Sequence, residues 1–296
     1  MALTPKERLM TAEEVFDMAK VFVKHGVSKI RLTGGEPLVR KDFTEILHKL
    51  ATLPVKLSLT TNALLADRFL ADFRKAGLSD INVSLDSLNP EKFKLMARRD
   101  QFHKTFENVK LLIEQGFQVK INAVLMKFFN DDEVVPFIKF TEHNPISIRF
   151  IEFMPFDGNR WKKDKLVTEA EVLTRAEAYF GKGKVLQLQN EKNFIARNYR
   201  INGYKGSFGI ISSVTNPFCD GCNRIRLTAD GKIKNCLFSN NETDILTPYR
   251  SGEPLEHLIQ TAIFKKMAVR AGMDTFEKLN APEMHNNNRS MITIGG

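Results

Sequence analysis

Phe117-Gln-Val-Lys-Ile-Asn-Ala-Val-Leu125 is a short β-branched run entered from the turn at Gly116, and helical periodicity resumes after it. Four more runs of this kind surround it: Val27 to Thr33 (VSKIRLT), Val55 to Thr61 (VKLSLTT), Asp80 to Asp86 (DINVSLD) and Ser147 to Phe153 (SIRFIEF). Their starts lie about 25 to 37 residues apart, the size of a strand, its turn and a crossover helix. The helix starts are marked as well. Thr11 with Glu14 and Thr168 with Glu171 have capping-box spacing, and Asn89-Pro90 supplies an N-cap followed by proline at the first helical position. Alternating βα units predict a parallel sheet, either a barrel or an open one.

In such sheets the ligand-binding loops lie beyond the carboxyl ends of the strands. Those ends carry Thr33-Gly34-Gly35-Glu36-Pro37, Thr60-Thr61-Asn62, Ser84-Leu85-Asp86, Lys120 with Asn122, and Arg149 with Glu152 and Met154. Capping and turn chemistry accounts for any one of these polar groups; five consecutive strands ending this way predict a lined site. Arg31 shares its face with Thr33, and a charge inside a barrel calls for an anionic partner. The Gly34-Gly35 pair lets a ligand approach the backbone, although the further glycine spacing of a dinucleotide fingerprint is absent.

After Met154 the pattern changes. A helix near Thr168 to Phe180 precedes short runs at Asn193 to Asn202, Gly206 to Val214 and Arg224 to Leu227, with a hairpin-like turn at Ala229-Asp230-Gly231. A last helical stretch spans about Glu253 to Met273. This divides the chain into residues 1–155, a barrel portion, and residues 156–296, a smaller α+β region packed on the end of the sheet.

Hydrophobic residues make up 43% of the 296 positions and charged ones 27%, which excludes disorder and fibrous repeats. No apolar run approaches the roughly 18 residues of a membrane span, and the first sixteen residues lack a secretory core. The net charge of +9 is spread among interleaved acids and bases, so a dedicated polybasic arm is absent. Trp161 and four tyrosines are too few for a row of stacking platforms, which argues against nucleic acid. Three cysteines, all between Cys219 and Cys236, suit a reducing, cytoplasmic compartment rather than a disulfide framework.

Those cysteines form the strongest local signal, Phe218-Cys-Asp-Gly-Cys-Asn-Arg-Ile-Arg226 followed by Cys236. Three thiolates are one short of a closed zinc site, which normally takes four protein ligands. The spacing leaves three readings open: zinc completed by a distant histidine such as His257, an iron-sulfur cluster with one iron free of protein, or unligated thiols. Arg224 and Arg226 alternate along the chain, so both guanidiniums can point one way and grip phosphate or a purine edge bidentately.

Taken together, Arg31-Leu-Thr-Gly-Gly-Glu-Pro37, Asn82-Val-Ser-Leu-Asp86, Arg149-Phe-Ile-Glu-Phe-Met-Pro155, the cysteine-arginine motif and the terminal Gly295-Gly296 resemble the GTP 3′,8-cyclase family, radical S-adenosylmethionine enzymes of molybdenum cofactor biosynthesis. The likeness runs along essentially the whole chain. It implies an incomplete (β/α)6 TIM-like barrel and a lyase-type reaction in which GTP becomes (8S)-3′,8-cyclo-7,8-dihydroguanosine 5′-triphosphate. It also implies a [4Fe-4S] cluster on Cys219, Cys222 and Cys236, and S-adenosylmethionine along Gly35, Ser84 and Met154. GTP would meet Arg31, Thr60, Lys120, Arg224, Ile225 and Arg226. Arg224, Arg226, Gly295 and Gly296 are the candidate catalytic positions. The resemblance further implies a homodimer without nucleic-acid or membrane partners, its product passing to cyclic pyranopterin monophosphate synthase.

One departure stands out. The family carries a C-x-x-x-C-x-x-C motif upstream of the Thr4-Pro-Lys-Glu7 segment, and here no cysteine precedes Cys219. The expectation is an N-terminally truncated sequence lacking the first strand and its cluster loop; a noncatalytic homologue, or a radical enzyme whose first cluster comes from elsewhere, are the other readings. The rival from another class is a noncatalytic zinc- or cluster-stabilised protein that binds nucleotide or nucleic acid.

Overall fold

Five strands follow one another across the sheet in chain order: β1 (Lys29–Leu32), β2 (Lys56–Thr61), β3 (Asp80–Ser84), β4 (Gln118–Leu125) and β5 (Ser147–Glu152), each parallel to the next. Right-handed crossovers between sequentially neighbouring parallel strands all fall on one face. The helices therefore cover that face only. They are α1 (Ala12–Lys24), α2 (Phe43–Ala51), α3 (Leu70–Lys75), α4 (Pro90–Ala97), α5 (Phe102–Glu114) and α6 (Val134–Lys139). The computed structural model describes residues 5–189, 193, 195–285 and 288–290 of the chain.

The alternation along each strand shows which face is which. Ile81, Val83, Ile121, Ala123, Ile148 and Phe150 point to the helical layer and are essentially fully buried. At about 1.5–3 kcal/mol for each large apolar side chain removed from water, burial of this outer layer is strongly stabilising. The residues between them, Asn82, Lys120, Asn122 and Arg149, point to the other face. A doubly wound sheet would bury both faces and read as continuously apolar. One apolar and one polar face mark a partial barrel with a polar interior.

The expected helix starts form as read. Thr11 and Thr168 make reciprocal capping boxes with Glu14 and Glu171, and Asn89 accepts from the backbone N–H groups of Glu91 and Lys92. The second half differs from its reading in one respect. After α7 (Glu169–Phe180) come β6 (Val185–Gln187), β7 (Arg197–Ile201) and β8 (Ser207–Ile211). Instead of joining a separate layer, β8 pairs in parallel with β5 as the sixth parallel strand, and β7 and β6 extend the sheet in antiparallel fashion.

Beyond β8 a small antiparallel sheet forms from β9 (Arg226–Leu227), β10 (Lys232–Lys234) and β11 (Thr243–Asp244). Its first turn ends at Gly231, where φ is +67° and a β-carbon would lie 2.3 Å from Leu246, so only glycine fits. α8 (Leu246–Arg250) and α9 (Glu256–Phe264) follow, then α10 (Phe276–Asn280) and α11 (Pro282–His285). The last long helix read from the sequence ends early, at Phe264 with Lys265 as its C-cap, and farther on Arg270 and Ala271 adopt left-handed backbone at φ +40° and +55°. Ile233, Ile245, Leu246 and Ile259 pack on Met10, Met18 and Phe22 of the N-terminal segment, which fixes this region to the barrel. Among the described residues no helix is long and apolar enough to cross a membrane.

Candidate active site

The barrel interior presents polar side chains in register. Arg31 stands beside Ser58, and Thr60, Asn82 and Lys120 are direct neighbours on three adjacent strands. Among the described residues, inward atoms buried without a hydrogen-bond partner include Thr60 Oγ1, Asn82 Oδ1 and Asn122 Oδ1. Buried polar atoms are nearly always paired, so atoms facing one opening without partners mark where a ligand's polar groups go. Lower in the barrel, Asp80 is 2% exposed and ion-paired to Lys56 at 3.1 Å, Lys29 at 3.2 Å and Lys120 at 3.9 Å. Burial pushes its carboxyl up, and the lysines more than offset this, leaving it below the ordinary value.

Above that acid the charges are of one sign. Arg31 remains open to solvent within the barrel mouth while protein surrounds it; desolvation first, then the Arg224 charge, lowers its proton affinity, and Asp80 works in the opposite direction. Lys120 falls to about 8 through burial and then through Arg149, with Lys29 and Arg31 adding to the effect. Arg226 falls to about 10 through burial and the neighbouring Arg224. The fold thus gathers Arg31, Lys120, Arg149, Arg224 and Arg226 from both halves of the chain. Arg226 begins β9 as expected, whereas Arg224 and Ile225 precede the ladder. Ile225 packs its side chain into the apolar cluster of Met18 and Phe22, away from the arginines on either side.

The strand-end loops are tied by buried carboxylates whose role the sequence did not reveal. Glu36 accepts from Thr61 Oγ1 at 2.6 Å and from the backbone N–H groups of Asn62 at 2.7 Å and Leu38 at 3.2 Å, which anchors the Gly34-Gly35 loop to β2. Gly34, at φ +63°, makes the turn that leaves Gly35 exposed at the mouth. Glu133 accepts from Ser87 Oγ and from the N–H groups of Leu88 and Asn89, and Asn130 donates to the Asp86 carbonyl, holding the loop that begins at exposed Ser84. Glu152 accepts from the N–H groups of Val214 at 2.7 Å and Thr215 at 2.9 Å and from Thr215 Oγ1, joining the end of β5 to the segment that leads into the cysteines. Burial raises the carboxyls of Glu36 and Glu152.

Cys219, Cys222 and Cys236 line one cavity of about 70 Å³ with Phe218, Arg224, Arg226 and Arg270. A single water-sized body needs about 10–15 Å³ by this measure, so the cavity has room for a multi-atom group. Among the described residues no three histidine, cysteine or acidic side chains converge closely enough for one ion, and His257 is exposed on α9. Cations face the sulfurs: Lys266 Nζ donates to Cys222 Sγ at 3.3 Å, and Arg224 lies 3.8 Å from the same sulfur while stacking over Phe218. Burial raises the Cys222 thiol, but Arg224 and Lys266 outweigh it and hold it below the ordinary value; burial keeps Cys236 above. Thiolates in a cationic pocket of this size fit an iron-sulfur group better than a closed zinc site. Met154, from the end of β5, packs in the same apolar cluster as Cys236 and Trp161, so the strand-end loops and the cysteine cavity adjoin. Gly295 and Gly296 lie outside the described residues.

Comparison with known proteins places the chain in a family. Residues 2–141 match the radical SAM superfamily, and residues 146–272 match the family described as Molybdenum Cofactor Synthesis C. The chain is 43% identical over 300 residues to the mitochondrial GTP 3′,8-cyclase of Arabidopsis thaliana, covering 99% of this chain and 75% of that one. It is 38% identical to the GTP 3′,8-cyclase of Thermodesulfovibrio yellowstonii, covering 99% and 89%. Against molybdenum cofactor biosynthesis protein 1 of Bos taurus it is 41% identical, but it spans only 46% of that longer protein. Among solved structures, Streptococcus suis SuiB bound to S-adenosylmethionine shares the fold, with a TM-score of 0.56 at 14% identity over 93% of this chain and 64% of that one. The chain belongs to the GTP 3′,8-cyclase family of radical S-adenosylmethionine proteins.

Proposed function

We propose that this chain serves the radical S-adenosylmethionine-dependent conversion of GTP to (8S)-3′,8-cyclo-7,8-dihydroguanosine 5′-triphosphate in molybdenum cofactor biosynthesis, supplying the GTP site and the C-terminal cluster, while the N-terminal cluster motif that the reaction also needs is absent from these residues. The observation that carries the reading is the convergence of Arg31, Lys120, Arg224 and Arg226 on one opening, where Asp80 opposes the barrel cations and the cysteines oppose Arg226. Like charges that depress one another are stabilised by a polyanion, and a triphosphate supplies one. Thr60, with Asn82 and Asn122, offers unpaired polar atoms to the uncharged part of the nucleotide.

Cys219, Cys222 and Cys236 would hold a [4Fe-4S] cluster beside the arginines, and Gly35, Ser84 and Met154 would line S-adenosylmethionine. Bound there, S-adenosylmethionine would supply the radical that hydrogen abstraction from a ribose requires, with the electron coming from a second cluster for which this chain has no cysteines; the cluster on Cys219, Cys222 and Cys236 would serve the purine. The protein's own part is to neutralise the phosphates, to fix the purine beside the cysteine cavity through the side chains of Arg224 and Arg226 and the backbone of Ile225 between them, and to keep the loops rigid through Glu36, Glu133 and Glu152. Gly295 and Gly296 complete the site in this reading. Residues 1–155 contribute the cations of the barrel and 156–296 the thiolates. The product passes to cyclic pyranopterin monophosphate synthase, and the chain works as a cytoplasmic homodimer.

Anaerobic reconstitution with iron and sulfide, followed by calorimetry with GTP, tests this reading. Arg224→Ala and Arg226→Ala should keep the iron and each weaken GTP binding at least tenfold, and Cys236→Ser should lose the iron. A single tightly held zinc with no iron, or unchanged GTP affinity in both arginine variants, defeats it.

A further inference from the structure

The stretch after α9 brings two cations to the cysteine cavity, and among the described residues neither is in an ion pair with a carboxylate. Lys266 is half-buried, and its ammonium has three N–H donors. Each finds an acceptor on the cysteine loop: the Cys222 carbonyl at 3.0 Å, the Arg224 carbonyl at 3.1 Å and Cys222 Sγ at 3.3 Å. Among the described residues Lys266 forms no ion pair with an aspartate or glutamate. Arg270 lines the cavity and is 5% exposed. Its guanidinium donates to the carbonyls of Val214 at 2.5 Å and Asp274 at 3.0 Å, and its Nε is buried with no hydrogen-bond partner. Its left-handed backbone, at φ +40°, is a strained conformation for any side chain with a β-carbon. Such strain persists where the surroundings over-determine it, commonly at ligand clamps.

We propose that Lys266 and Arg270 are positioning residues of the thiolate-held centre. Lys266 ties the Cys222 sulfur and the Arg224 backbone to one ammonium, so the thiolate and the purine-facing guanidinium keep a fixed spacing. Arg270 holds the Val214 carbonyl, on the segment that Glu152 fastens to β5, and brings its charge to the side of Cys219. An iron-sulfur centre on three thiolates is anionic and becomes more so on reduction. Positive charge and N–H donors at its sulfurs therefore favour the reduced state and raise its potential. This inference rests on the reading that the three cysteines carry such a centre.

The test compares the reconstituted wild-type chain with Lys266→Met, Lys266→Arg and Arg270→Gln for iron content, midpoint potential and the electron paramagnetic resonance of the reduced centre. Lys266→Met and Arg270→Gln should keep the iron, move the potential to more negative values and alter the spectrum, and Lys266→Arg should return both towards wild type. Loss of iron in Lys266→Met that Lys266→Arg restores also supports the role; loss in both lysine variants overturns it for Lys266. Unmoved potential and spectrum in both charge-removing variants overturn the proposal while leaving the cysteine reading intact, and a shift in one variant only removes the other residue. Failure of the wild-type chain to take up iron overturns the cysteine reading itself.

Discussion

Arg224, from the cysteine loop, lies close enough to Arg31 on β1 to lower that residue's proton affinity. Two guanidiniums held this way repel in the free chain and share an anion when one arrives. Arg31→Met should therefore stabilise the ligand-free chain, seen as a higher thermal midpoint, and weaken GTP binding by roughly 10- to 100-fold, the about 1.5–3 kcal/mol of a charge-assisted hydrogen bond. The double variant with Arg224→Ala should lose less affinity than the two single losses combined, because the sites couple through one ligand. A lower midpoint with unchanged affinity would show that Arg31 serves packing instead.

Lys120 makes GTP binding depend on pH. With its free-chain value depressed from 10.5 to about 8, the amine loses its charge as pH rises through 8. Affinity should fall between pH 7.5 and 9.5, with proton uptake on binding near pH 8.5 that is detectable by calorimetry in buffers of different ionisation enthalpy. Lys120→Met should bind more weakly at pH 7.5 and lose that decline. A wild-type affinity that stays flat across the range contradicts the assignment.

Glu152 meets two backbone N–H groups and a hydroxyl across the seam between β5 and the segment leading to the cysteines. Glu152→Ala leaves these donors buried without acceptors, at about 1–3 kcal/mol for each unsatisfied group, reduced wherever water enters. A loss of about 2–4 kcal/mol in urea unfolding is expected, with Glu152→Gln close to wild type because its carbonyl still accepts. Equal stability of the alanine variant and wild type would remove Glu152 as a tie.

Asp86 accepts from the Val124 N–H at 2.8 Å, and burial pushes its carboxyl from 3.8 up to about 6. Between those values the folded chain retains a proton that the unfolded chain has released. The stability due to this group is therefore fully present below about pH 4 and lost as pH rises through 6. Asp86→Asn preserves the acceptor and abolishes the loss, so its stability relative to wild type should increase from pH 4 to pH 7.5. A difference that is constant with pH would rule this out.

The elements legible in the sequence are those decided locally. Thr11, Asn89 and Thr168 cap helices within three residues of themselves, and the five βα runs repeat at crossover spacing. The sixth parallel strand was not legible, because Ser207–Ile211 finds its place only through pairing with β5, across α7 and two antiparallel strands. The site divides in the same way. Arg31, Lys120 and the cysteine-arginine motif stand out by residue type at a strand end or in a tight spacing. Glu36, Asp86 and Glu152 were visible as strand-end polar groups, yet only the fold shows that they spend themselves on backbone N–H groups. Lys266 and Arg270 sit where no periodicity or motif distinguishes them from surface cations, and their place depends on the irregular segment that follows α9, with its left-handed backbone at Arg270 and Ala271.

The division of each strand between an oily side under the helices and a wet side around the lumen has a consequence for change over time. Cohesion resides on the outer shell, so substitutions along the inner wall alter what the chamber accepts without dismantling what encloses it. A chamber so built is free to drift towards new guests, and only the seams at its rim resist.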